Sequence, residues 1–141
     1  MLSQVRDYFR SRVSESNPNL KEWTDALNTE NVPESLVDKS YHINISNFSG
    51  VDKNDSIISY SVPCVVTVWR KGFKDTIGAH DFLLNEANCL ILNASQFLKI
   101  NASENIRSVN PQSILVEGID GSNDNIMKAT ITFNCVLFYN V

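Results

Sequence analysis

The segment that most constrains the fold is 127–141, which reads MKATITFNCVLFYNV. Every odd position from Met127 onward is apolar, whereas the even positions begin with Lys128 and become apolar at Val136 and Phe138. A period of two predicts a long strand with one buried face. Near the end of this strand the second face is also apolar, and another element must bury it. Either the N-terminal helix of the same chain or a neighbouring subunit could do so.

The rest of the chain shows two helical and three further strand patterns. Apolar residues at helical spacing predict an amphipathic helix over 2–14 and a long helix over 76–98. Alternating residues predict strands over 41–46, 58–69 and 114–119. Pro63 cannot donate to a strand ladder, which indicates an edge, a bulge or a bend at that position.

The connecting segments contain residues typical of loops. We expect 18–40 to be mostly irregular, and NFSGVDKND (47–55) to form a long polar loop. RKGFKD (70–75) is predicted to be a polar turn. NASENIRSVNP (101–111) is predicted to be a loop or an irregular strand that Pro111 closes.

These elements predict an α+β fold in a single domain, residues 1–141. We expect a mainly antiparallel four-stranded sheet with the long helix packed on one face, preceded by the N-terminal amphipathic helix. The stripe of the long helix is expected to face the sheet, with Ile131 and Phe133 of the last strand pointing toward it. Its members are Leu84, Ala87, Ile91, Ala94 and Leu98, and the stripe is widened by Leu83, Leu90 and Phe97.

Composition excludes some classes of function. The net charge of −4 argues against sequence-independent binding to nucleic acid, which needs a surplus of Lys and Arg. No uniformly apolar run is long enough to predict a membrane span. The N-terminus lacks the pattern of a signal peptide. We therefore expect the three cysteines, which are far apart and form no CxxC pair, to be reduced, buried thiols of a cytosolic protein.

No catalytic motif is visible. The two histidines are His42, on the polar side of a strand, and His80, which precedes Asp81. A nucleophilic set of Cys64 or Cys89 with His80 and Asp81 is conceivable. Both cysteines fall on apolar faces, however, where a buried and inert thiol is the commoner state. The sequence thus favours a protein that is not an enzyme, with no cofactor and no metal.

Two clusters of charged side chains could be binding sites. Three acidic side chains near the last turn could bind a cation, but their spacing matches no calcium loop and favours a solvated turn. Three arginines of the first helix could face phosphates or acidic partners, although a solvated helix face is the simpler interpretation. The acidic residues are Glu117, Asp120 and Asp124, and the arginines are Arg6, Arg10 and Arg12.

Several segments together resemble the tail terminator proteins of long-tailed bacteriophages, also called tail completion or tail-to-head joining proteins. They are LSQVRDYFRSRV, YHINI, VPCVVTVWRKGFKD, FLLNEANCLILNASQFL and above all VEGIDGSNDNIMKATITFNCVLFY. The order of helix, two strands, long helix and two strands is also similar. The resemblance covers nearly the whole chain, except that the 18–40 segment departs from it.

The resemblance implies a structural protein of the virion that assembles in the host cytoplasm as a homo-oligomeric ring of six subunits. Such a ring caps the tail tube at its head-proximal end, stops its polymerisation and provides the surface for head docking. The implied partners are a tail-tube protein and a head-completion or connector protein, with no membrane and no sequence-specific nucleic acid. Alternatives are a small intracellular α+β ligand-binding or enzyme domain, or another phage neck or tail ring protein. The candidate interface residues are Phe48, Val51, Phe73, Val136, Phe138, Arg6 and Arg10.

Overall fold

A computed structural model describes residues 2–23, 38–71, 75–100, 105–118 and 126–140. Within these ranges the chain forms two helices and six strands. In chain order they are α1 (Leu2–Ser16), β1 (Lys21–Glu22), β2 (Ser40–Ile45), β3 (Gly50–Asn54), β4 (Ile57–Arg70), α2 (Thr76–Ile100), β5 (Ile106–Gly118) and β6 (Met127–Asn140).

The six strands form one mixed sheet in the order β1-β2-β4-β6-β5, with β3 also paired to β4. The β1–β2 pair is parallel, and the other pairs are antiparallel. β4 and β6 pair along their whole length, from Ile57 opposite Asn140 to Arg70 opposite Met127. On its other side β4 pairs with β2 over one part and with β3 over the other.

Pro63 lies where the partner of β4 changes. β2 pairs with β4 up to Cys64, and β3 begins to pair at Ser61. The missing N–H of Pro63 therefore falls at the break between two partner strands, and β4 continues through it in register with β6.

Both helices cover the same face of the sheet. The ring of Phe9 in α1 packs on the ring of Phe133 in β6, with centroids 4.8 Å apart. The buried Tyr8 hydroxyl donates to the carbonyl of Ala94 in α2. The core between the layers is formed by the alternating apolar residues of β4 and β6 together with one stripe from each helix.

Small side chains bring α2 close to the sheet. Ala79, Ala87 and Ala94 are all buried. At the start of α2, the Asp75 carboxylate accepts a hydrogen bond from the Gly78 N–H at 2.5 Å, which satisfies a backbone donor of the first turn. A Cβ at position 78 would lie 2.9 Å from that carboxylate oxygen, so a larger residue there would require a small shift of the Asp75 side chain.

The α+β class and the two helices are confirmed, but the sheet is larger than expected. The predicted polar loop 47–55 contains β3, because its backbone pairs with β4 although its side chains are polar. The two-residue strand β1 lies within the segment expected to be irregular, and it makes the sheet mixed. β5 begins at Ile106 and passes through Pro111. Pro111 is tolerated because β5 is an edge strand.

The structure also decides one alternative for the end of β6. Val136 and Phe138 are half-buried and lie on the face of the sheet opposite to Phe133 and the helices. The alternative in which α1 covers them is wrong, because Phe9 places α1 on the other face. Their described contact partners include Arg107, whose guanidinium lies 5.8 Å from the centre of the Phe138 ring.

Candidate interaction surfaces

The three cysteines do not share one environment. Cys64 and Cys135 are fully buried in the core. Burial raises the pKa of Cys135 to about 12 and raises the pKa of Cys64 as well, so both thiols stay protonated at neutral pH. Cys89 is exposed on α2, and the prediction that it is buried is wrong.

The histidines do not form a nucleophilic set with these thiols. His80 and Cys89 are nine residues apart on one helix, which is about 13 Å along its axis. The His80 side chain is exposed near the start of α2, with Nδ1 3.9 Å from an Asp81 carboxylate oxygen. Cys64 lies inside the core, where a substrate cannot reach it. His42 is half-buried, and its Nδ1 lies 2.7 Å from the backbone carbonyl oxygen of Trp23, so this histidine ties the chain after β1 to β2.

The predicted acidic cluster is only partly within the described residues. Among the described residues, no group of three His, Cys, Asp or Glu side chains is placed to hold a metal ion. Glu117 pairs with Lys128 across β5 and β6 at 3.3 Å. The other two acidic residues, Asp120 and Asp124, lie outside the described residues.

The arginines of α1 are also turned toward the protein. Arg6 donates to the backbone carbonyl of Ile43 at 3.1 Å. Arg10 donates to the carboxylate of Glu22 at 2.7 Å, which helps to hold β1 against α1. Arg12 is buried, and its guanidinium donates to Asn93 of α2 at 3.2 Å. The interpretation of these arginines as a solvated face is therefore wrong, since they join α1 to the sheet and to α2.

A buried ion pair links three elements, and sequence reasoning missed it. The guanidinium of Arg70, at the end of β4, donates to both carboxylate oxygens of Glu86 in α2. Their side chains are only 11% and 10% exposed. Asn17, just after α1, donates to the same carboxylate at 2.8 Å. Glu86 thus fixes α2 relative to the sheet and α1.

One apolar surface lies on the hairpin of β3 and β4, on the same side of the sheet as the helices. We call it the arm surface, and define it as Phe48, Val51, Lys53, Ile58 and Tyr60. Val51 is opposite Tyr60 and Lys53 is opposite Ile58, so these pairs share a face. The ring of Phe48 packs on that of Tyr60, 4.9 Å between centroids. Val51 is 63% exposed and Phe48 is 38% exposed.

A second apolar surface lies on the outward side of α2. We call it the helix surface, and define it as Ile77, Asp81, Phe82, Cys89 and Leu92. Ile77 is 77% exposed, and Phe82 and Leu92 are about half exposed. At about 100° per residue these positions cover an arc of about 140° of the helix. The same arc also contains the exposed polar residues Asn85, Asn88 and Gln96, so the apolar side chains lie among uncharged polar ones.

The helix surface is poor in charge. Between Thr76 and Gln96 the sequence holds two acidic residues, Asp81 and Glu86, and no Lys or Arg. Glu86 is already bound to Arg70. Asp81 is therefore the carboxylate available on this surface, with its side chain 71% exposed.

The structure brings together only part of the predicted interface set. Phe48 and Val51 lie on the arm surface. Val136 and Phe138 lie on the opposite face of the sheet, so they belong to a different surface. Phe73 lies outside the described residues.

Sequence reasoning missed the helix surface because α2 is apolar on nearly every side. A signal was nevertheless present in the sequence. A helix of this length with two acidic residues, no basic residue before Lys99 and apolar residues outside the predicted stripe has more apolar surface than one sheet can cover.

The space between α2 and the sheet does not have the character of a polar ligand pocket. Its core is formed by apolar side chains and cysteines, and the polar side chains of Arg70, Glu86 and Asn17 beside it bind one another. A ligand site needs several polar groups that converge on the ligand. Neither described helix is long and apolar enough to cross a membrane.

No family model matches the chain. A search of curated proteins likewise gives no significant match.

Proposed function

We propose that this protein is a ring-forming structural subunit of the tail terminator class. It caps the tail tube of a long-tailed phage as a hexamer, ends tube polymerisation and provides the surface on which the head docks. It works through contact rather than catalysis, at the head-proximal end of the tail, after assembly in the host cytoplasm. A tail-tube protein and a head-completion or connector protein are its partners.

The observation that carries the proposal is the presence of two different exposed apolar surfaces, the arm surface and the helix surface. A closed ring of identical subunits needs a heterologous contact, in which one patch of a subunit meets a different patch of the next. Interfaces are enriched in aromatic residues and poor in charge at their centres. Phe48 and Tyr60 on one surface, and Phe82 and Leu92 on the other, have this character.

The fold is compatible with the same proposal. The elements that carry the resemblance occur in the expected order: α1, the strand pair β2 and β4, the long helix α2, and the pair β5 and β6. The added strand β3 extends the sheet into the arm.

Electron microscopy with tail tubes tests the proposal. The purified protein is added to a polymerising tail-tube protein of the same phage, and the tubes are imaged in negative stain. Rings at one end of each tube, together with shorter tubes at higher ring concentration, are the expected result. Tubes with bare ends and unchanged lengths would contradict the proposal.

A further inference from the structure

We infer that the arm surface of one copy docks on the helix surface of the next copy, with Lys53 meeting Asp81 across the contact. This inference rests on the proposed ring and deepens it by naming the two faces that join. The occupant of each surface is therefore a second copy of this chain.

The first argument is the complementarity of the two surfaces. Exposed apolar side chains are Phe48 and Val51 on the arm surface, and Ile77, Phe82 and Leu92 on the helix surface. Each surface, as defined, has one charged side chain, and the charges are opposite. Lys53 is exposed and forms no ion pair within the described part of the chain. Asp81 is exposed, with the exposed His80 ring 3.9 Å away. Opposite charges fix the register of an otherwise apolar contact.

The second argument is that the two surfaces cannot meet within one molecule. Lys53 is opposite Ile58, which is in turn opposite Tyr139, near the end of β6. Asp81 lies between Ala79 and Leu83, which pack on Met127 and Ala129 at the start of β6. Ala129 and Tyr139 are ten residues apart on one strand, which is about 34 Å.

The third argument is the position of the surfaces at opposite ends of the sheet. A contact between unlike patches at opposite ends is repeated from copy to copy, which produces a closed ring or an open filament. The same two patches also fit together twice, reciprocally, across a two-fold axis, which would produce a dimer instead. The subunit number therefore separates the ring that the proposed function requires from such a dimer.

Charge reversal tests the inference. Lys53→Glu and Asp81→Lys are each expected to place like charges across the contact and to weaken assembly about tenfold or more at low salt. Both side chains are exposed, so the circular dichroism spectra and thermal midpoints should stay unchanged. Assembly is followed by sedimentation velocity over a series of protein concentrations.

Mixing the two variants gives the decisive result. In an equal mixture, the arm of the Lys53→Glu variant can meet the helix of the Asp81→Lys variant, so that opposite charges face each other again. The remaining arms and helices carry the unchanged Lys53 and Asp81, which also attract. The mixture should therefore assemble as the unchanged protein does, although each variant alone does not. The chain carrying both substitutions should also assemble.

Asp52→Lys is the matched control for these variants. Asp52 is exposed and lies opposite Ser59, on the other face of the arm from Lys53. The substitution changes the net charge of the chain as Asp81→Lys does, but it places the new charge away from the contact. It should therefore change assembly by less than about twofold.

The outcomes separate the inference from the proposed function. If the unchanged protein assembles and each single variant assembles equally well, or if the mixture stays dissociated, the arm-to-helix contact is wrong and the ring proposal stands. If the unchanged protein stays monomeric at every concentration and with tail tubes, both are wrong.

Discussion

Phe133 is the residue whose truncation tests the described core most sharply. Its ring is 0% exposed and packs on Phe9 of α1 at 4.8 Å, while its backbone neighbours in the sheet are Cys64 and Pro111. Helix and sheet enclose the site, so it cannot collapse easily after truncation. Phe133→Ala is therefore expected to lower the free energy of unfolding by about 3–5 kcal/mol, the range for a fully buried phenylalanine.

Urea denaturation followed by tryptophan fluorescence measures this loss at a concentration where the protein is monomeric. With a slope of about 2 kcal/mol per molar urea, the midpoint should fall by about 1.5–2.5 M. Phe138→Ala is the matched control. Phe138 lies on the same strand but on the opposite, half-buried face, and its truncation should cost about 1 kcal/mol.

A double-mutant cycle then tests the contact itself. Phe9→Ala combined with Phe133→Ala should show a coupling free energy of about 0.5–1.5 kcal/mol, as measured for aromatic pairs. The reasoning would be refuted if Phe133→Ala cost less than about 1 kcal/mol, or no more than Phe138→Ala. Additive losses from Phe9 and Phe133 would show that the two rings do not pack on each other.

Three further predictions follow from burial and charge. At a concentration where the folded protein is monomeric, a thiol reagent should modify Cys89 quickly and Cys64 and Cys135 only on unfolding, so fast labelling of more than one thiol per chain would contradict the core. Burial raises the pKa of Cys135 to about 12, so the unfolded state loses this proton first as pH rises above about 9. The unfolding free energy should then fall by up to about 1.4 kcal/mol per pH unit from this thiol, and the alkaline slope should be smaller in Cys135→Ala. Glu86→Ala leaves Arg70 buried without its carboxylate and should cost roughly 3–5 kcal/mol in chemical denaturation, and a loss below about 1 kcal/mol would show that the pair is solvated.

Strong periodicity was the part of the sequence that predicted the fold well. The alternation along β4 and β6 and the spacing of Val5, Phe9 and Val13 in α1 predict elements that the structure contains. In each of these segments one face is apolar and the other is polar over most of its length. Burial of that face decides both the type of element and its orientation.

β3 was missed because its stability does not come from its own side chains. All five of its residues are exposed, and four of them, Gly50, Asp52, Lys53 and Asn54, are uncommon in strands. Its backbone is held by antiparallel pairing with β4. A local signal existed in the two-residue loop after Asn54, where Asp55 adopts a positive φ of 52°, as tight hairpin turns require.

The orientation of α2 was predicted only in part. Apolar residues lie on several sides of the helix, so neighbouring stripes fit a buried face almost equally well. Four residues of the widened predicted stripe are buried, namely Leu83, Ala87, Leu90 and Ala94, whereas Leu84 and Ile91 are half-buried. The same ambiguity led to the wrong prediction for Cys89. A helix that is apolar beyond its buried face suggests a second contact, and this is the basis of the proposed helix surface.

The mass of the native assembly tests the central claim most directly. Native mass spectrometry across a range of concentrations, alone and with tail tubes, should show a closed oligomer with a single subunit number, which we expect to be six. A protein that remains a monomer under all of these conditions would contradict the ring. A dimer as the largest species would also contradict the ring.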